Sequence, residues 1–235
     1  MTVLGIDAGT GSFSAAVSGD GSALALEDLP GNVALEQGLT AIGRVLRRAE
    51  LTPGNLDRLA VGIGPGSFTG VRIAISYAKS LALGWRLPLV GVNSFDAVEA
   101  GVDAGPPLLT VVRGRRGVIS VRFRSQGGEF RASGYVADVL SELGPPGSVK
   151  VVGDAEDVLS GLAERGWDVQ YVECAVLPTA LAVAAVAASR EPARSLHEVR
   201  ADYGELPAAR IPVEKALRSD LRAPRKAGPP KPHGA

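Results

Sequence analysis

Two segments of the chain carry residue types that could bind a phosphate or a metal ion. The first lies at the end of an apolar run, 2–7, and places Asp7, Thr10 and Ser12 in a glycine-containing turn. Backbone N–H groups and hydroxyls in such a turn can point at a phosphate, and a carboxylate at a strand end can orient a metal-bound water. The same spacing also occurs in hairpins that bind nothing, because glycine supplies the positive φ of a tight turn.

The second segment is longer and lies between a predicted strand and a predicted helix. Its residues are Gly64, Pro65, Gly66, Ser67, Phe68, Thr69, Gly70, Val71 and Arg72. The glycines permit a sharp turn, the proline stiffens it, and Ser67 or Thr69 can cap the helix that follows. Free N–H groups at a helix start can bind an anion, although a tight turn without a ligand is the simpler interpretation of these residues.

The helix predicted over 68–84 carries a stripe of very small side chains. Its members lie four residues apart and are Gly70, Ala74, Ala78 and Ala82. Val71 and Ile75 flank the stripe, which lets a second helix approach closely. A helix this apolar is expected to be buried on more than one side, against its own sheet and against either the helix predicted over 34–50 or a partner protein. That neighbouring helix has apolar residues at the spacing of one face, namely Leu35, Leu39, Ile42 and Leu46.

The order of predicted elements is the same in the two halves of the chain. Each half reads βββαβαβα, which predicts a duplicated α/β fold of two lobes with a cleft between them. We expect lobe I over 1–103, lobe II over 104–221 and a disordered, basic, proline-rich tail over 222–235. The tail is either a solvated terminus or a weak contact for RNA phosphates through its cations, which are Arg222, Arg225, Lys226 and Lys231.

Composition excludes few functions. The 235 residues include 25 Lys plus Arg and 25 Asp plus Glu, so net charge gives no signal for or against nucleic acid. The single cysteine, Cys174, cannot form an internal disulfide and is expected to be a small packing residue. The N-terminus lacks a secretory pattern, and the apolar run 176–188 is too short to span a membrane. These features predict a cytoplasmic protein.

Two hydrolase classes lack the residues they need. A metalloprotease requires a set of ligands such as a histidine pair, but the two histidines, His197 and His233, are far apart in the sequence. A Ser-His-Asp hydrolase requires a Gly-x-Ser-x-Gly elbow, and the turn at Ser67 lacks the second flanking glycine.

The first segment resembles the first phosphate loop of the actin, Hsp70 and sugar-kinase ATPases. That resemblance implies an acidic residue in the first hairpin of the second lobe and a glycine-rich turn for adenosine. Here Arg113 stands at the acidic position, and the later turn has a single glycine, Gly153. A cation cannot ligate magnesium, although it can contact a phosphate. We therefore expect no independent ATP hydrolysis, and we interpret Asp7, Thr10 and Ser12 as a vestigial phosphate loop.

The long motif gives a more specific resemblance. Residues 62–72, together with Leu4-Gly5-Ile6-Asp7, Ala78-Lys79 and the segment 88–94, closely resemble the TsaB (YeaZ) family. The match is strong over 2–100 and loose over 107–190. It implies the two-lobed fold of actin and Hsp70, with ribonuclease H-like lobes. It also implies a non-catalytic subunit for making N6-threonylcarbamoyladenosine at position 37 of ANN-decoding tRNAs.

The resemblance implies specific partners. In that family TsaB binds TsaD, which carries the metal and the active site; TsaE joins the complex and TsaC supplies threonylcarbamoyl-adenylate. The first-lobe helices are implied to form the TsaD interface, here Gly70, Val71, Ala74, Ile75, Ala78 and Ala82 with Leu39 and Ile42. We also expect tRNA contact through the complex, a homodimer when the chain is alone, no metal, no tightly bound cofactor, and ATP or ADP at complex interfaces. A stand-alone small-molecule kinase or ATPase of the same superfamily is the alternative.

Several positions depart from the family pattern. Ala34 stands where histidine is common, Thr40 where proline is common, and Arg113-Gly114-Arg115 where Asp-x-Arg is usual. The family's C-terminal Tyr-x-Arg region is represented loosely by 201–207. These departures affect the second-lobe contacts more than the first-lobe helices.

Overall fold

The first half of the chain forms a mixed five-stranded sheet in the computed structural model, which describes residues 1–114, 117–173 and 179–204. Its strands are β1 (Thr2–Asp7), β2 (Ser12–Gly19), β3 (Ser22–Pro30), β4 (Arg58–Gly64) and β5 (Leu89–Asn93). They lie in the order β3-β2-β1-β4-β5. β1 to β3 form an antiparallel meander, and β4 and β5 run parallel to β1.

The second half repeats this topology. Its strands are β6 (Leu108–Arg113), β7 (Val118–Ser125), β8 (Gly128–Tyr135), β9 (Ser148–Gly153) and β10 (Asp168–Tyr171). Their order, β8-β7-β6-β9-β10, reproduces that of the first sheet strand for strand. The pairing is again antiparallel within the meander and parallel beyond it. The predicted duplicated α/β fold is therefore confirmed.

Six α-helices accompany the sheets in the described part of the chain. They are α1 (Ala34–Arg48), α2 (Phe68–Trp85), α3 (Ser94–Glu99), α4 (Val136–Ser141), α5 (Glu156–Glu164) and α6 (Ala180–Ala188). α1 and α2 cover the face of the first sheet that carries Leu4, Ile6 and Phe13. None of these helices combines the length and the apolar character that crossing a bilayer requires.

α6 belongs to the second half of the chain but packs on the first sheet. Its Val183, Ala184 and Ala187 are buried against the sheet face opposite α1 and α2. The approach is close: a Cβ added to Gly5 would lie 2.1 Å from the carbonyl oxygen of Ala180. In the reverse direction, α3 of the first half packs on the second sheet. The two halves thus exchange helices across their boundary.

An ion-pair network fastens α3 to the second sheet. Arg122 of β7 is buried, and its guanidinium contacts Asp96 at 2.5 Å and Glu99 at 2.9 Å. Arg124 also pairs with Glu99, and Arg190 pairs with Asp96 at 2.8 Å. Burial raises the pKa of Asp96, but the hydrogen bonds from Arg122 and Arg190 outweigh it and hold that pKa below its ordinary value.

Some predictions concern residues outside this description. Arg115, Cys174 and the tail 222–235 lie outside the described residues, as does the start of the last predicted helix at Pro178. The lobe boundaries 1–103 and 104–221 stay predictions.

Candidate functional site

Asp7 lies at the end of β1 with its carboxylate buried. Its Oδ2 accepts a hydrogen bond from the backbone N–H of Gly9 at 3.0 Å, while Oδ1 has no hydrogen-bond partner in the described structure. Burial raises the pKa of Asp7 to about 7, and the Gly9 hydrogen bond opposes that rise. The other two loop residues differ in exposure, since Ser12 is exposed and Thr10 is half-buried. The buried carboxylate is therefore the distinctive feature of residues 7–12, which we call the first loop.

The motif turn, residues 64–69, closes over this first loop. The backbone N–H of Ser67 donates to the carbonyl oxygen of Gly9 at 2.6 Å. A Cβ on Gly66 would lie 2.3 Å from that same oxygen, and a Cβ on Gly70 would lie 1.8 Å from the carbonyl oxygen of Ala8. The glycines are thus required for close backbone approach, and the turn occupies a donor that a bound anion would otherwise use.

Ser67 performs the predicted capping role at the start of α2. It is the N-cap residue, and its Oγ accepts a hydrogen bond from the N–H of Gly70 at 3.3 Å. Thr69 is exposed within the first turn of the helix and does not cap it. Gly64 precedes the cis peptide bond to Pro65 with φ of +94°, a conformation that favours glycine.

The second-lobe hairpin offers a cation that is already paired. Arg113 donates to Asp154 through Nε at 2.9 Å and through Nη2 at 3.1 Å, and its Nη1 reaches Asp157 at 3.0 Å. The hydrogen bonds that Arg113 donates to Asp154 and Asp157 raise the pKa of Arg113 above its ordinary value. The end of β6, where the ATPase resemblance implies an acid, therefore holds an arginine that is bound by two carboxylates.

A magnesium nucleotide does not fit this set of donors. Asp7 supplies one carboxylate, and the equivalent position at the end of β6 supplies Arg113. Across residues 1–114, 117–173 and 179–204, no three Asp, Glu, His or Cys side chains come together as a metal site. His197 is among the described residues, whereas His233 lies outside them.

A C-terminal segment, residues 199–204, completes the site. Its contacts with the site were not predicted from the sequence. The N–H of Asp202 donates to the carbonyl oxygen of Ile63 at 2.7 Å, and the side-chain amide of Asn93 donates to Asp202 Oδ2 at 2.9 Å. The ring of Tyr203 stacks on Phe68 with 4.7 Å between centroids. Gly204 lies between the lobes, since a Cβ there would be 2.9 Å from Pro65 and 2.7 Å from Ser120 Oγ.

The sequence held one signal for this segment. Its residues fall where the family's Tyr-x-Arg region was loosely recognised, but neither the hydrogen bond to Ile63 nor the contact with Phe68 follows from local pattern. Both are tertiary contacts between residues more than 100 positions apart.

The small-residue stripe of α2 faces the chain's own core, which corrects the expectation that it meets a partner. Ala74, Ala78 and Ala82 are buried within the chain, and Gly70 abuts Ala8. The flanking Val71 and Ile75 and the α1 residue Ile42 belong to the same core cluster. The physical reason is that the small side chains let α2 lie close on the sheet, so they are not free for a second chain.

The outer surface of α1 and α2 is nevertheless apolar in places. Leu35 and Leu39 of α1 are 69% and 50% exposed, and Leu83 of α2 is 72% exposed. The one-face pattern read from sequence was therefore only partly right, because Ile42 and Leu46 are buried whereas Leu35 and Leu39 point outward. Tyr77 joins the two helices by donating to the carbonyl oxygen of Leu35 at 2.6 Å. We call the exposed Leu35, Leu39 and Leu83 the outer leucines.

Comparison with known proteins places this geometry in a family. A family model described as TsaD, tRNA N6-adenosine threonylcarbamoyltransferase, matches residues 35–198. TsaB from Escherichia coli (strain K12), named a tRNA threonylcarbamoyladenosine biosynthesis protein, is 37% identical over 101 residues. Those residues are 43% of this chain and 44% of that protein, so the match spans less than half of the relative.

Two solved structures share the fold. One is an uncharacterized protein from Pseudomonas aeruginosa with similarity to the peptidase YeaZ, with a TM-score of 0.66 and 21% identity over 87% of this chain and 99% of that one. The other is YeaZ from the same organism, with a TM-score of 0.61 and 22% identity over 86% of this chain and 99% of that one. The chain belongs to the TsaD family, whose model matches residues 35–198, and it is similar in sequence to TsaB proteins.

Proposed function

We propose that the chain is a non-catalytic subunit of the machinery that attaches the threonylcarbamoyl group to N6 of adenosine 37 in ANN-decoding tRNAs. It would act by binding the catalytic TsaD subunit. The observation that carries the proposal is the pairing of Arg113 with Asp154 and Asp157 in a chain of this family. A guanidinium bound by two carboxylates stands where an ATPase needs an acid. The first loop is covered by the motif turn as well.

The proposed contact with TsaD is the outer face of α1 and α2 rather than the small-residue stripe. The outer leucines give this face exposed apolar area, which in a soluble protein commonly marks a binding surface. We include TsaE as the third member of the complex, with tRNA reached through the complex and ATP or ADP at its interfaces. The chain alone would cover the same leucines by homodimerisation, and a role in tRNA modification would place it in the cytoplasm.

The interface is tested by a double substitution, Leu35→Asp with Leu39→Asp. Both side chains are exposed, so the variant is expected to fold and to lose at least tenfold in affinity for TsaD by calorimetric titration. The matched control is Leu24→Asp with Leu26→Asp on β3, which removes two leucines of similar exposure from the sheet face away from α1. Equal affinity of both variants for TsaD would contradict the interface.

The non-catalytic assignment is tested separately. Purified chain is mixed with Mg-ATP, and phosphate release is followed with and without TsaD. We expect no turnover by the chain alone. Turnover that survives in the chain alone and disappears in Asp7→Asn would contradict the assignment.

A further inference from the structure

A groove of about 340 Å³ lies between α2 and the C-terminal segment 199–204. Three cations line it: Arg72 and Lys79 from α2, and Arg200 from the segment. Tyr203 also lines it. Arg72 and Lys79 are seven residues apart, which corresponds to about 10 Å along a helix axis. The positive charge is therefore spread along a line rather than focused on one point.

The charge of this groove is not neutralised by the described residues. None of its three cations forms an ion pair with a carboxylate in that part of the chain. Two carboxylates lie in or beside the segment: Asp202 accepts from Asn93 and Gly204, and Glu198 accepts from the N–H of Arg194, so each is hydrogen-bonded to neutral donors rather than to a groove cation. In a chain with zero net charge, this is a local concentration of positive potential.

Two aromatic rings lie beside the groove: an exposed one, Phe68, and a half-buried one, Tyr203. Phe68 is 54% exposed and stacks with Tyr203, and the guanidinium of Arg72 lies 5.1 Å from the centre of the Phe68 ring. Aromatic faces beside arginines are the usual platform for unstacked bases of single-stranded nucleic acid. A purely acidic protein segment would use the cations but would have no use for the rings.

The wall of the groove is fixed before any ligand arrives. Asp202 bonds to Ile63 at the end of β4, and Asn93 at the end of β5 bonds to Asp202. These contacts hold Arg200 and Tyr203 on either side of a residue anchored to the sheet. A preformed groove loses less conformational entropy when a ligand binds.

We propose that this groove binds the phosphodiester backbone of an RNA, with Arg72, Lys79 and Arg200 contacting phosphates and the Phe68–Tyr203 pair contacting a base. The inference rests on the proposed function, because it places the tRNA in direct contact with this chain. The groove lies on the side of α2 that faces the C-terminal segment, whereas the proposed TsaD interface uses the outer leucines.

The test measures binding of the full chain to an unmodified tRNA transcript over a series of salt concentrations. The variant carries Arg72→Gln, Lys79→Gln and Arg200→Gln, all at side chains outside the core. The control removes the same charge elsewhere, with Arg47→Gln, Lys150→Gln and Arg165→Gln. We expect the groove variant to lose about tenfold or more in affinity. The slope of log K against log salt should fall by about two, since each phosphate contact contributes roughly 0.7 to 0.9.

A second variant separates the rings from the charges. Tyr203→Leu should lower tRNA affinity about threefold to tenfold and leave the salt slope unchanged, because stacking involves no counterion release. Equal tRNA affinity of the groove and control variants would overturn the proposal, as would failure of the wild-type chain to bind tRNA. Loss of TsaD binding with tRNA binding intact would overturn it too, by identifying the groove as a protein contact. If the groove and control variants bind tRNA equally and all of them still bind TsaD, only the RNA contact is overturned and the proposed function is unaffected.

Discussion

The backbone N–H of Ser67 donates a hydrogen bond to the carbonyl oxygen of Gly9, with 2.6 Å between the two atoms. This bond joins the motif turn to the first loop. Gly66 and Gly70 pack against the backbone of Gly9 and Ala8, and neither position has space for a side chain. The motif turn is therefore, in this chain, the cover of the first loop.

Gly70→Ala is expected to destabilise the protein by several kcal/mol, because its Cβ would lie 1.8 Å from the carbonyl oxygen of Ala8. Gly84→Ala is the matched control in the same helix. A Cβ at Gly84 meets no atom within 4 Å, so alanine there should stabilise α2 by up to about 1 kcal/mol. Urea unfolding of both variants measures the difference, and equal midpoints would contradict the close approach.

Ala78→Glu should unfold the chain rather than merely weaken partner binding. Ala78 is completely buried in the core, and an unpaired carboxylate there costs several kcal/mol. Ser80→Glu adds the same charge to an exposed position of α2 and should leave the melting temperature within about 2 °C. Thermal unfolding followed by circular dichroism compares the melting temperatures of the two variants. A folded Ala78→Glu protein would show that the stripe is accessible after all.

Asp7→Asn should change the pH dependence of stability. The ordinary pKa of 3.8 rises to about 7 on folding, so the folded state binds this proton more tightly than the unfolded state. The stabilisation is complete below about pH 4 and is lost as the pH rises through 7. Relative to wild type, Asp7→Asn should therefore gain stability with rising pH, by about 4 kcal/mol at most.

Thermal melts of wild type and Asp7→Asn between pH 4 and 8 measure this effect. Asp103→Asn, at an exposed carboxylate, serves as the control and should follow the wild-type curve. Parallel curves for wild type and Asp7→Asn would mean that the Asp7 carboxylate is not protonated on folding.

Arg122→Ala should cost about 3 to 5 kcal/mol, because it leaves Asp96 and Glu99 short of their buried partner. Arg131→Ala is the control. Arg131 also lies over the ring of Phe95, but its ion pair with Glu129 is exposed and should contribute less than about 1 kcal/mol. Chemical denaturation compares the two, and similar losses would show that the network does not fasten α3 to the second sheet.

Local pattern was sufficient to predict the succession of strands and helices along both halves of the chain. Alternating burial and turn residues such as Asp20-Gly21 mark the meander, and Ser67 marks the start of α2. The orientation of α2 was not predictable from its own sequence, because a stripe of Gly70 and alanines fits an intramolecular sheet and another helix equally well. Only the position of the sheet decides between them.

The site was predictable in its parts but not in its assembly. Asp7 and the motif turn were recognised separately, and the pairing of Arg113 with Asp154 was not expected. The contacts of Asp202 and Tyr203 were missed because they join residues more than 100 positions apart. A pattern within a few consecutive residues carries no information about contacts between positions so far apart in the sequence.

The exchange of helices has a consequence for synthesis on the ribosome. The face of the first sheet that carries Val3, Ala60 and Val90 is covered by α6, which ends at Ala188. The strands of the first sheet are complete by Asn93. This apolar face therefore stays exposed while about 90 further residues are translated, until α6 can cover it. A nascent chain of this protein therefore carries an open sheet face while the whole segment from α3 to α6 is translated, and this face is protected only when α6 emerges.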